Sequence, residues 1–161
     1  MKTFRIMTAF AFLLMTAAAV ADSQGKVQPD PTAPTKACQG FKPHELCFER
    51  PGDGVARTEF LSEPFYAVIL KTTERCVVTE EERLKAQALF PRSKVFSVRF
   101  QCDDNIEENI TYTNVDSKFG FLAVHAGSTV EEARKRLAEV TATGRFPGAN
   151  IRKMQAKLVY S

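Results

Sequence analysis

Two stretches of this chain decide its fold by resembling each other. The first runs from Thr79-Glu80-Glu81-Glu82 through Phe90-Pro91 into Val95-Phe96-Ser97-Val98-Arg99-Phe100. The second runs from Ser128-Thr129-Val130-Glu131 through Phe146-Pro147 into Ile151-Arg152-Lys153-Met154. In each, a hydroxyl residue followed three positions later by glutamate opens a helix-forming run, the spacing of a capping box. Each run ends near a Phe-Pro step and leads into a strand-like sequence. An apolar run also precedes each: Phe65 to Leu70 before the first, Phe119 to Val124 before the second. The region therefore reads as two βαβ-like halves of one α+β domain.

The helical spacing adds detail. Val130, Ala133, Leu137 and Val140 form one apolar stripe, and Leu84, Ala88 and Phe90 a looser one. Glu81–Lys85, Glu131–Lys135 and Glu132–Arg136 stand in the favourable i,i+4 order, as on a solvated helix face. Strand alternation predicts Phe96, Val98 and Phe100 toward the helices, with Ser97 and Arg99 on the other side. Met154, Ala156 and Leu158 are predicted inward, with Lys153, Gln155 and Lys157 outward. Ile110 to Val115 reads as a hairpin arm or edge strand ahead of the third main strand, on which Phe119, Phe121, Ala123 and His125 share a parity. Connection rules turn this β-α-β-β-α-β order into a ferredoxin-like sandwich, an antiparallel sheet with two helices on one face.

Working outward, residues 1–21 have the form of a secretory signal peptide. Lys2 and Arg5 supply the positive end, Ile6 to Val20 the apolar stretch, and Ala19-Val20-Ala21 the cleavage site. The chain is therefore expected to be exported, periplasmic or secreted, with no membrane span after cleavage. Cleavage would leave 140 of the 161 residues, enough for one domain core. Losing the two signal cations takes the formal net charge from +3 to +1, a poor match to a polyanion binder. Residues 22–36, with Pro29, Pro31 and Pro34, read as a flexible linker. Residues 37–63 read as a loop-rich lead-in with a short strand at Leu46 to Glu49, and residues 64–161 as the domain.

Cys38, Cys47, Cys76 and Cys102 in an exported chain point to two disulfides. The simplest pairing is 38–47 and 76–102. The first closes a local loop; the second joins cysteines that follow two parallel strands. With no C-x-x-C pair, a zinc site is not expected.

No catalytic motif stands out. His44 and His125 are the two histidines, and neither lies in a nucleophile motif. No H-E-x-x-H, Walker loop or dinucleotide glycine pattern is present. Asp103, Asp104, Glu107 and Glu108 lack the spacing of a calcium loop and read as a solvated connection. Asn109-Ile110-Thr111 is a formal glycosylation sequon. Lys118-Phe119-Gly120-Phe121-Leu122-Ala123-Val124 approaches an RNA-binding strand signature, but the near-neutral charge argues against nucleic acid. The chain is thus expected to be no enzyme and to need no cofactor or metal.

Residues 65–160 resemble the SPOR (sporulation-related repeat) family. The resemblance rests on the exported chain, the linker and the β-α-β-β-α-β pseudo-repeat. It also rests on the helix start at Glu131-Glu132-Ala133 and on Phe146-Pro147-Gly148-Ala149-Asn150-Ile151 before the last strand. It implies a small non-catalytic module that binds bacterial cell-wall glycan through an open sheet face. The chain differs from the family pattern at Ile69-Leu70-Lys71 and at His125-Ala126-Gly127.

The candidate ligand residues follow from strand geometry in this chain. Phe119 and Phe121 would stack on sugar rings, while Arg99, Lys153 and Gln155 would hydrogen-bond. The expected partner is peptidoglycan or another cell-envelope glycan. One alternative is a protein-interaction or inhibitory domain facing another envelope protein, which a large apolar patch would favour. A small secreted hydrolase is a further alternative, requiring a pocket at His44 or His125 with carboxylates beside it. The sheet face either presents its aromatics to a ligand or packs against residues 37–63; the residues alone leave both open.

Overall fold

The computed structural model describes residues 29–30, 40–48, 59–74, 76–98 and 110–159. In chain order these hold β1 (Pro29–Asp30), β2 (Cys47–Phe48), β3 (Glu59–Leu61), β4 (Phe65–Glu74), α1 (Glu80–Leu89), β5 (Val95–Val98), β6 (Ile110–Tyr112), β7 (Phe119–Gly127), α2 (Val130–Ala142), β8 (Asn150–Met154) and β9 (Ala156–Val159). The signal-like segment, Cys38, Arg99, Phe100, Cys102, the acidic stretch 103–108 and Asn109 lie outside the described residues, and the expectations placed on them lie there too.

The main sheet has the order β5-β7-β4-β8 with every neighbouring pair antiparallel. This is the ferredoxin-like arrangement: β4 and β5 flank β7, both antiparallel to it and so parallel to each other, with the two helices on one face. Val68 and Leu70 of β4, Leu122, Val124 and Ala126 of β7, and Val95 of β5 meet Ala86 of α1, Ala133 and Val140 of α2, and the flanking Val78 and Phe90.

The opposite face is not open. A second antiparallel sheet, β3-β9-β6, lies over it together with the segment 41–48. Phe41, Leu46, Phe48, Ile110, Tyr112, Ala156 and Leu158 from this layer pack against Phe65, Ala67, Ile69, Phe96, Val98, Phe121, Ala123 and Met154 of the main sheet. The centre is aromatic. Phe65 lies 6.3 Å from Phe96 and 6.4 Å from Tyr112, both edge-on, and Phe121 meets Phe96 at 5.9 Å and 90°. Edge-to-face geometry places the positive ring edge on the negative face of its neighbour. Residues 41–48 and 59–61 therefore share the core of the domain, so the lead-in does cover the sheet face.

This corrects the expected strand facing. Phe96 and Val98 point away from the helices, into the second core, while Val95 takes the helix side. Phe65 to Leu70 is a continuous apolar run because both of its faces are buried. The last predicted strand is likewise two strands. The chain leaves the main sheet after Met154, turns at Gln155, and enters the second sheet at Ala156. Ser62 holds this corner: its Oγ accepts from Ala156 N at 2.9 Å and its N–H donates to Ala156 O at 2.8 Å. Ile110 to Tyr112 pairs with β9, and not with β7 as a hairpin arm would.

Both helices have the expected N-terminal chemistry, with shifts. In α2 the capping residue is Thr129, one position later than Ser128, and the box is reciprocal with Glu132. Glu132 also accepts from Ser128 N at 2.9 Å, which occupies it away from Arg136; that arginine pairs with Glu139. Gly127 makes room, since a Cβ there would stand 2.5 Å from the Glu132 carboxylate, and its φ is +110°. In α1, Thr79 accepts from Glu82 N, while the Glu82 side chain pairs with Lys71 at 2.8 Å. Glu81–Lys85 forms as expected at 2.7 Å.

The inward face of α1 is Arg83, Ala86 and Gln87, followed by buried Phe90, whereas Leu84 and Ala88 are exposed. The rotation has a polar cause. Buried Gln87 donates to Phe90 O and Ser93 O and accepts from Val95 N, closing the α1–β5 turn. Arg83 donates to Val95 O at 3.1 Å and is neutralised by Glu80. Backbone groups buried at this turn need such partners, so polar side chains take the inner face.

Candidate functional site

A β-bulge prepares the site. Ile69 of β4 opposes Ala123 and Lys71 opposes Leu122, leaving Leu70 as the extra residue. The bulge reverses the parity of β4 beyond it. Lys71 therefore reaches Glu82 at the start of α1, and Thr72, opposite Phe121, turns to the other face with Ile69. Here the second sheet runs out, and the turn after β6 overhangs the main sheet. The result is a cleft of about 280 Å³ lined by Ile69, Thr72, Asn114, Val115, Asp116, Phe119, Gly120, Phe121 and Arg152.

Phe119 is the exposed ring of this cleft, 45% accessible, and Phe121 forms its floor at 2%. Arg152 comes from β8. Its Nε donates to Asn150 Oδ1 at 3.2 Å and its Nη1 to Asn114 O at 3.3 Å. Asn114 has φ +59°, a left-handed conformation that asparagine tolerates better than most residues. Its amide donates to Lys153 O at 2.7 Å, fixing the turn to β8. Asp116 Oδ1 accepts from Lys118 N at 2.9 Å and its carbonyl from Phe119 N at 3.0 Å. The cleft thus joins an aromatic face, a forked cation, a carboxylate and the Thr72 hydroxyl.

The five expected ligand residues do not converge. Phe119 and Phe121 both reach the cleft, but Phe121 is core and cannot stack on a ligand as an exposed platform. Lys153 lies on the helix side of β8, its Nζ 5.8 Å from the Tyr66 ring centroid. Gln155 is spent at the corner, where Nε2 donates to Ser62 O at 2.9 Å and the main-chain N–H to Thr113 Oγ1 at 2.8 Å. Arg99 lies outside the described residues. Sequence reasoning missed Arg152, Asn114, Asp116 and Thr72. Arg152 shares the parity of Met154, and that parity faces the second sheet and not the helices.

Both histidines are buried, and neither lines the cleft. His125 stacks on Phe65, and burial lowers its pKa to about 4. Beside β5, Lys94 is fully buried, and its Nζ has no hydrogen-bond partner among the described residues. Burial, with the nearby Arg83 charge, lowers its pKa to about 8 against the pull of Glu80 and Glu45. Cys47 and Cys76 are both disulfide-bonded. The expected pairing with Cys38 and Cys102 falls outside the described residues. Among the described residues no group of three side chains could hold a metal ion, and no helix is long and apolar enough to cross a membrane.

No protein-family model, curated protein or solved structure matches the chain.

Proposed function

We propose that this protein is a non-catalytic binding module that takes a saccharide in the Phe119 cleft, and that its partner is peptidoglycan or another cell-envelope glycan met after export. The observation that carries the reading is the exposed Phe119 ring set beside the polar groups of Arg152, Asn114, Asp116 and Thr72. Sugars present an apolar C–H face and a rim of hydroxyls, and a ring flanked by fixed donors and acceptors complements both. The cleft is just below the ~300 Å³ at which drug-sized pockets begin, which suits one or two sugar rings. The SPOR resemblance of the sequence motivates the choice of cell-wall glycan as partner. Because the second sheet covers the face opposite the helices, this reading puts binding at the rim where β7 begins.

A protein-interaction role has less support. The large apolar residues exposed among the described ones, Leu61, Val77, Leu84 and Phe119, are spread over β3, the approach to α1, α1 itself and β7. Single exposed apolar residues are ordinary on soluble domains. The hydrolase reading requires an accessible histidine beside carboxylates, and both histidines are buried away from the cleft.

The test is retention of the oxidised protein on purified sacculi, with intact walls compared against walls stripped of stem peptides, and with Phe119→Ala beside the wild type. Retention that rises on stripped walls and is lost in the variant supports the reading. Retention unchanged in Phe119→Ala, or absent on both walls, overturns it.

A further inference from the structure

Arg152 is better prepared for a ligand than a surface arginine needs to be. Two of its five N–H donors are taken, Nε–H by Asn150 and one Nη1–H by the Asn114 carbonyl. Both partners are themselves held, Asn150 through Gly148 O at 3.2 Å and Asn114 through Lys153 O. The guanidinium is thus held from both sides, since Nε–H and Nη1 lie on opposite flanks of the group, and Nη2 with the second Nη1–H remains available. Both partners are neutral oxygens, and no carboxylate lies within ion-pair distance of Arg152 among the described residues. A pre-oriented fork with its charge uncompensated is matched by a planar anion, because both N–H groups can then point at the two oxygens of a carboxylate. Preorganisation lowers the entropy lost on binding.

The backbone gives an independent sign. Asn114, whose carbonyl orients the fork, is one of two non-glycine residues with positive φ among those described. The turn it makes is held to β8 by the Asn114 amide on Lys153 O, and its carbonyl accepts from Arg152. Asp116 on the same wall sets a limit on the ligand. Its carboxylate repels a second anion and accepts from hydroxyl or amide donors, so the ligand should carry one acidic group at the Arg152 end and donors at the other.

We infer that the cleft selects acidic saccharides, with Arg152 binding the sugar carboxylate, Phe119 stacking on the ring and Asp116 accepting from its hydroxyl or amide groups. This rests on the saccharide reading of the cleft. It makes Arg152 the residue that sets specificity.

The experiment is a titration of the oxidised full-length protein, followed by NMR shifts of the Arg152 side chain and the Phe119 ring. The probes are a uronic-acid disaccharide, its carboxyl-reduced neutral counterpart and acetate, each with wild type, Arg152→Gln and Arg152→Lys. The expected result is that the acidic disaccharide binds roughly tenfold or more tightly than the neutral one, since charged hydrogen bonds carry that much. That preference should vanish in Arg152→Gln and be only partly kept in Arg152→Lys, which retains the charge without the fork. Equal binding of both disaccharides, unaffected by Arg152→Gln, overturns the acidic preference and leaves the saccharide reading standing. Acetate shifting Arg152 while neither disaccharide binds overturns the saccharide reading and supports the anion anchor. No response to any probe overturns both.

Discussion

The imidazole of His125 lies stacked on the ring of Phe65, with centroids 5.6 Å apart and 29° between their planes. The pair ties β7 to β4 on the face covered by the second sheet. It also fixes the protonation state of the histidine, because a ring desolvated against phenylalanine has little to stabilise a positive charge.

That burial has a pH consequence. The His125 pKa falls from 6.5 to about 4, chiefly through desolvation, with Glu132 opposing and Arg136 adding to the effect. Between those values the unfolded chain binds the extra proton, so stability is fully present above about pH 6.5 and declines as pH falls toward 4. The shift corresponds to about 3 kcal/mol as an upper figure. His125→Phe, which keeps a ring against Phe65, should lose about 2 kcal/mol less than wild type between pH 7 and 4.5 in urea unfolding. Equal losses would contradict this. Glu132, held below its ordinary 4.5 by the Thr129 and Ser128 contacts, adds its own loss of stability at the acid end of this window and below it, in wild type and variant alike.

Lys94 should show the opposite limb. Its value falls from 10.5 to about 8 because burial and Arg83 outweigh Glu80 and Glu45. The unfolded chain therefore holds the extra proton between about pH 8 and 10.5, and this group makes stability rise with pH across that window. Below pH 8 the buried ammonium is a net cost. Lys94→Met is expected to stabilise the protein at pH 7 by about 1–3 kcal/mol, with the gain shrinking to near zero by about pH 10.5. Destabilisation at pH 7 would mean that Glu45 and Glu80 depend on Lys94 more than it is repelled by Arg83.

These buried groups show where the sequence was legible. The pseudo-repeat gave the helices, the strand order and the sheet polarity, since capping residues, helical periods and connection rules are local or topological. The burial of both sheet faces was also written in Phe65 to Leu70 and Phe121 to Val124, which are continuous apolar runs without clean alternation. Alternation in Val95 to Val98 could not say which face Phe96 takes, because both faces are cores. The one-residue shift from Ser128 to Thr129 was ambiguous, as each hydroxyl has a glutamate three positions on. The bulge that turns Thr72 into the cleft, and the corner that consumes Gln155, depend on pairing with distant strands and have no local signature.

Phe119 and Phe121 separate binding from stability. Phe121 touches Phe96 and Tyr112 in the aromatic core, so Phe121→Ala should cost about 3–5 kcal/mol in denaturant unfolding. Phe119 is nearly half exposed, so Phe119→Ala should change stability by less than about 1 kcal/mol while abolishing retention on glycan. A Phe119→Ala protein that unfolds as easily as Phe121→Ala would assign Phe119 to the core and remove the aromatic platform of the cleft.

The Asn114 turn links the fold to the cleft most directly. At φ +59° an alanine pays a steric penalty that glycine does not, and either substitution removes the amide contact to Lys153 O. Asn114→Gly should therefore cost about 0.5–1.5 kcal/mol through the lost hydrogen bond and added chain entropy. Asn114→Ala should cost about 1 kcal/mol more, because the left-handed conformation is strained for a residue with a plain Cβ. Both variants keep a carbonyl at position 114, but only the rigid turn keeps it aimed at Arg152. Titration with the acidic disaccharide should thus weaken in the order wild type, Asn114→Gly, Asn114→Ala, with Phe119→Ala outside this series because it acts on the ring. If Asn114→Ala bound as tightly as wild type while losing stability as expected, the turn would serve folding alone, and Arg152 would find its ligand without that support.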